Sequence, residues 1–145
     1  SVPTYNNSTA TASNMGVLSS GIFYRSTSSI KYKTEVEDID YAYSNALLKC
    51  RPVWYRSTCK ADPAKHGYWG FIAEEVAKID PRLVHWKTVE ITYDDKGATV
   101  ETPLEAPEPE GVQYDRFVPH LLNLIKRQGE AITDLQAEVA ALKAK

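Results

Sequence analysis

Charge of one sign is what this chain of 145 residues lacks most: 17 Lys and Arg stand against 19 Asp and Glu, a net charge of −2. That removes the basic footprint by which a protein is drawn to nucleic acid or to an anionic membrane, so neither partner is expected. Apolar residues never run long enough to span a bilayer as a helix. The start of the chain has no charged-then-apolar signal pattern, and without an initiator Met it reads as a fragment or a processed product. Cysteine is scarce. Cys50 and Cys59 are too few for a disulfide framework and are expected to be free. His66, His85 and His120 are scattered without metal-ligand spacing, so no metal and no cofactor are expected. A Gly-rich phosphate loop and a triad context are also missing, which argues against a hydrolase acting on an external substrate.

What is present suits one compact domain with an appendage. Apolar residues make up 43% and charged residues 25%, and nine Tyr with three Trp can furnish a core. Residues 1 to about 20 are rich in Ser, Thr, Asn and Gly and read as loop, the tail end of something larger upstream. A strand is expected within Gly21–Ser26. From Glu35, the spacing of Val36, Ile39, Tyr43, Ala46 and Leu47 predicts an amphipathic helix, acidic at its start and closed by Lys49 and Arg51-Pro52. Val53–Arg56 reads as a strand, and Phe71–Ile79 as a short helix stopped by Asp80-Pro81. The runs 83–86, 89–93 and 98–101 are strand candidates, the last two joined through Asp94-Asp95-Lys96-Gly97 as a hairpin. Pro103, Pro107, Pro109 and Gly111 mark 103–111 as an irregular linker. The middle of the chain is therefore α+β.

The terminal stretch carries the strongest periodicity. Val118, Ile125, Ile132 and Val139 recur every seven residues, with Leu121, Gln128, Leu135 and Leu142 between them. This is the a/d seam of a coiled coil with one polar layer at Gln128. Beyond residue 130 the rest is Ala, Glu, Gln, Lys and Thr, a helix marginal in water unless identical partners cover its stripe. Ile or Val at a with Leu at d favours two strands, whereas Leu122 and Leu124 widen the apolar face towards three. The pattern alone leaves both open.

Three constellations bear on chemistry. Glu74-Glu75 and Asp94-Asp95 are adjacent doublets whose members point apart, so they read as solvated surface. A thiol nucleophile at Cys50 or Cys59 has no local context. In Ser28-Ser29-Ile30-Lys31-Tyr32-Lys33, a hydroxyl is followed by two amines within five positions. A lysine can take a serine's proton if burial lowers its pKa, although a solvated loop would have the same composition.

The run Ser28–Val36 resembles the opening motif of the C-terminal intramolecular chaperone domains of phage tail spikes and tail fibres, the endosialidase type. Ala46–Tyr55, Gly70–Val76 and Val112-Gln113-Tyr114 agree with later motifs in the same order. Ser29 and Glu74 depart from it, standing where the family often has an acidic residue and a Gln. The resemblance implies an α+β chaperone domain over 28–117, preceded by the end of a fibre or spike at 1–27. A long C-terminal helix at 118–145 would form a parallel trimeric coiled coil. It further implies a homotrimer that helps the upstream fibre or spike domain of the same chain to fold. The module would then release itself by cutting the Thr27–Ser28 bond in cis, with Ser28 as nucleophile and Lys33 as base. Such events would belong to virion assembly in the host cytoplasm, the upstream part staying in the virion tail. The alternative is an uncleaved trimeric cap or receptor-interaction module at a fibre tip.

Overall fold

The computed structural model describes residues 15–17 and 22–144. The chain divides into two compact units, Ser1–Glu37 and Asp38–Lys145.

In the first unit, strand β1 (Met15–Val17) pairs antiparallel with β2 (Phe23–Arg25), placing Gly16 opposite Tyr24. A Cβ at Gly16 would lie 2.6 Å from the Tyr24 ring, so this close approach requires glycine. The strand expected within 21–26 is present. Residues 15–17, read from the sequence as loop, are its partner; the rest of that loop reading lies outside the described residues. A 3-10 turn follows at Ile30–Tyr32, closed by Tyr32 N donating to Ser29 O and Lys33 N to Ile30 O.

The helix expected from Glu35 begins six residues later. Glu35 itself has φ 51°, in the left-handed region that breaks a right-handed helix. Asp40 then supplies the start, its Oδ1 accepting from Ala42 N at 2.7 Å. Helix α1 (Tyr41–Ala46) is short and runs into a 3-10 turn at Leu47–Lys49. Local capping thus outweighs the apolar spacing, and Val36 and Ile39 stay exposed.

In the second unit, β3 (Val53–Tyr55) pairs antiparallel with β4 (Tyr68–Gly70). Helix α2 (Ala73–Ile79) ends at Asp80, and Pro81 opens a 3-10 turn, Pro81–Leu83. The core gathers Leu47, Val76, Leu83, Val84 and Phe117, with Cys50, Phe71, Ala77 and Val112 packed against it. Phe71 stacks nearly parallel on Phe117 at 5.2 Å between ring centres. Each such burial contributes roughly 1.5–3 kcal/mol.

Asp80 is the polar pin of this core. It is 5% exposed, and its Oδ1 accepts from Arg82 N while both carboxylate oxygens accept from the Arg82 guanidinium, at 2.9 and 2.6 Å. That guanidinium also lies over the Tyr43 ring, 4.5 Å from its centre. The Arg82 hydrogen bonds hold the Asp80 carboxyl below the usual carboxylate range, although burial opposes them. The stabilisation is therefore complete above the unfolded carboxyl's range and is lost as pH falls through the lower folded value. Asp80→Asn is expected to cost about 1–2 kcal/mol at neutral pH. The gap from the parent should close as pH drops below about 4, as read by urea unfolding at each pH.

Two strands then form a long ribbon, β5 (Val84–Tyr93) and β6 (Thr99–Val112). The turn between them is the expected one: Gly97 has φ 77°, and Asp94 Oδ1 accepts from Lys96 N and Ala98 N. The irregular linker expected at 103–111 is instead part of β6. A two-stranded ribbon has only edge strands, and an edge tolerates proline wherever its missing N–H would face away from the partner. At the ribbon's base, Gln113 N donates to Leu83 O and Gln113 Nε2 to Val84 O, at 2.8 and 2.7 Å.

Helix α3 (Phe117–Lys143) closes the unit. One stripe docks on its own domain: Phe117 and Leu124 are buried. Asn123 Nδ2 donates to Ile39 O and Ser44 Oγ, and Arg127 donates to Asn45 Oδ1. From Ile125 to Ala144 every residue is exposed. The chain is thus mixed α+β, with small sheets and a long C-terminal helix.

Candidate functional site

After β2, residues 26–29 lead without regular structure into the 3-10 turn, Ser29 itself extended. One tight turn at Ile30–Tyr32 brings Lys33 back over Ser28. The Lys33 amine lies 2.9 Å from Ser28 Oγ and 2.8 Å from Ser28 O, donating to both. The other amine in the run is occupied elsewhere, Lys31 Nζ standing 4.8 Å from the centre of the Tyr32 ring. Thr27 contributes its hydroxyl, which accepts from Ser29 N at 3.4 Å. Serine hydroxyl and lysine amine therefore share one hydrogen bond, the contact along which a proton leaves a nucleophile for its base. Both side chains are exposed in a single chain.

The remaining constellations resolve differently. Glu75 is held by Arg51 in a two-pronged pair at 2.5 and 3.2 Å, and Asp94 is consumed by its turn. Cys50 packs against the core, and burial pushes its thiol up, away from the reactive thiolate. Cys59 is exposed, and neither thiol is bridged. Among the described residues no cluster of His, Cys, Asp or Glu could hold a metal ion, and no helix is long and apolar enough to cross a membrane.

The seam residues share the undocked face of α3. Val118, Leu121, Ile125, Ile132, Leu135, Val139 and Leu142 are each 48–68% exposed, and Gln128 stands exposed among them. The docking stripe and the seam are separate lines on one helix: Phe117, Asn123, Leu124 and Arg127 turn inwards. From the sequence, docking of this helix on its own domain is the alternative to a coiled coil, and Leu124 reads as a widening of the coiled-coil face; Leu124 lies instead on the docked stripe with Phe117 and Asn123. The sequence reading missed an open cleft lined by Arg51, Val53, Trp54, Tyr55, Phe71 and Ile72.

The family model described as chaperone of endosialidase matches residues 28–85. No curated protein matches the chain. The match opens on the serine that Lys33 contacts and ends at the second residue of β5, His85. Over residues 28–85 the chain thus bears out the resemblance read from its sequence, to the C-terminal intramolecular chaperone domain of endosialidase-type tail proteins.

Proposed function

We propose that this chain is an intramolecular chaperone that assembles as a parallel homotrimer through α3, assists folding of an upstream fibre or spike, and then cuts itself free between Thr27 and Ser28. The observation that carries the reading is the 2.9 Å contact between Ser28 Oγ and Lys33 Nζ, at the position where the family match begins. Neutral Lys33 takes the hydroxyl proton as Ser28 Oγ attacks the carbonyl carbon of Thr27. The Thr27–Ser28 C–N bond breaks, the Ser28 nitrogen takes the proton back, and an ester joins Thr27 to Ser28 Oγ. Water then hydrolyses that ester, leaving a carboxylate on Thr27 and a free amine and hydroxyl on Ser28.

A lysine serves as base only when its amine is uncharged, and removal from water favours that form. Since both side chains face solvent in one chain, assembly is the event that would take water from the pair. Cleavage then follows trimerisation, the order a folding aid needs. Extended fibres fold slowly through non-local contacts, and a fast-forming coiled coil holds three chains together meanwhile. In this reading the module acts in the host cytoplasm during virion assembly and is then shed.

Intact mass under denaturing conditions, on freshly made chain carrying residues 1–27, tests it. The expected result is two species, split before Ser28 and summing to the full chain plus one water. A single full-length mass that persists for days would replace self-release with the permanent trimeric cap.

A further inference from the structure

Strands β3 and β4 set Trp54 directly opposite Trp69, and both indoles are largely exposed, Trp69 at 82%. Beside them lies the cleft noted above, about 430 Å³ in volume and open on one side. Arg51 lines it, its guanidinium held by Glu75, and the segment 49–65 that supplies β3 carries Lys49, Arg51, Arg56, Lys60 and Lys65 against one carboxylate, Asp62. Arg56 lies over the Trp54 ring, 5.4 Å from its centre, so charge and aromatic surface meet at one place.

The complementary feature sits on β6. Lys87 pairs with Glu108 and Val89 with Pro103, so residues 104–107 stand opposite Thr88 alone and bulge out of the ribbon. The bulge reads Leu-Glu-Ala-Pro, and Pro103 and Pro109 flank it. Four glutamates lie within 99–112, without any Lys or Arg. Stiff proline-bearing segments lose little conformational entropy on docking and suit aromatic-lined grooves. Opposite charges on the two surfaces add orientation and reject like-charged pairings.

Bulge and cleft belong to the same unit, yet in a single chain the cleft is open and the bulge is exposed at Glu105, Ala106 and Pro107, with Leu104 half-buried. We propose that the acidic, proline-bearing bulge at 104–107 of one copy seats in the Trp54–Phe71 cleft of a neighbouring copy, giving the assembly a second contact away from α3. This rests on the self-association proposed above.

Charge exchange tests it, in the full-length chain at low salt. One variant carries Arg56→Glu with Lys60→Glu, another Glu105→Lys with Glu108→Lys, and a third carries all four changes. Mass in solution is followed on dilution. Each reversal alone should raise the concentration of half-dissociation about tenfold, an effect that fades in high salt. The combined variant should return to within about threefold of the parent. Assembly untouched by either reversal overturns the docking and leaves the coiled-coil trimer standing. Additive loss in the combined variant also overturns it and assigns the cleft to another occupant, such as the upstream fibre. A parent chain that stays monomeric at every concentration removes docking and trimer together.

Discussion

Ser28→Ala chain is expected to assemble like the parent and to stay whole. The hydroxyl is the atom that would carry the ester, and it is Ser28, not Ser29, that the Lys33 amine contacts, through both Oγ and the carbonyl oxygen. Structure should be nearly unaffected, because Ser28 is exposed and surface truncations of this kind usually stay within about 0.5 kcal/mol. Lys33→Met should slow cleavage by roughly a hundred- to ten-thousandfold, the range over which a positioned base acts. Denaturing mass spectrometry over several days reads both variants, with mass in solution as the control for assembly. Cut product from Ser28→Ala at the parent's rate would remove Ser28 as nucleophile. Full-rate cleavage by Lys33→Met would instead leave the nucleophile in place and remove its base.

The second large effect is on assembly. Ile132→Asp with Val139→Asp would set two layers of like charges into the seam of a trimer. Burying unpaired carboxylates costs several kcal/mol per ion, more than a tail of this length can offset. The variant should sediment as a monomer. Its compact part should keep its own unfolding transition, because Ile132 and Val139 are exposed in a single chain and lie beyond the docked stripe. If assembly is what dries the Ser28–Lys33 pair, the same variant should also remain uncut. An unchanged mass in solution would rule out the coiled coil; a monomer that still cleaves would show that the pair needs no assembly.

Periodicity was a sound guide where a helix has a long free face, and a poor one near caps and edges. The heptads from Val118 to Leu142 stand on one continuous helix. The stripe from Val36 to Leu47 did not make one, because a left-handed Glu35 and the Asp40 cap placed the start at Tyr41. Prolines in 103–111 signalled a linker, yet a ribbon made only of edges can carry them. The serine–lysine pair was visible as residue types five apart. Its contact depended on a 3-10 turn, which short-range composition does not specify. The Trp54–Trp69 surface was hidden because cross-strand neighbours fifteen residues apart leave no local trace.

Arg127 is the last residue that ties α3 to its own domain, and Gln128 and Gly129 follow at once. The grip of Asn123 and Arg127 on α1 therefore works as an indexing pin: it sets the azimuth at which the free half of the helix leaves the domain. Since each residue turns an α-helix by about 100°, one residue inserted after Arg127 would swing Ile132 and all that follows out of line with Val118 and Ile125. In the proposed trimer, three such chains could match their upper stripes or their lower ones, but never both, and the domains would lose a common bearing around the shared axis.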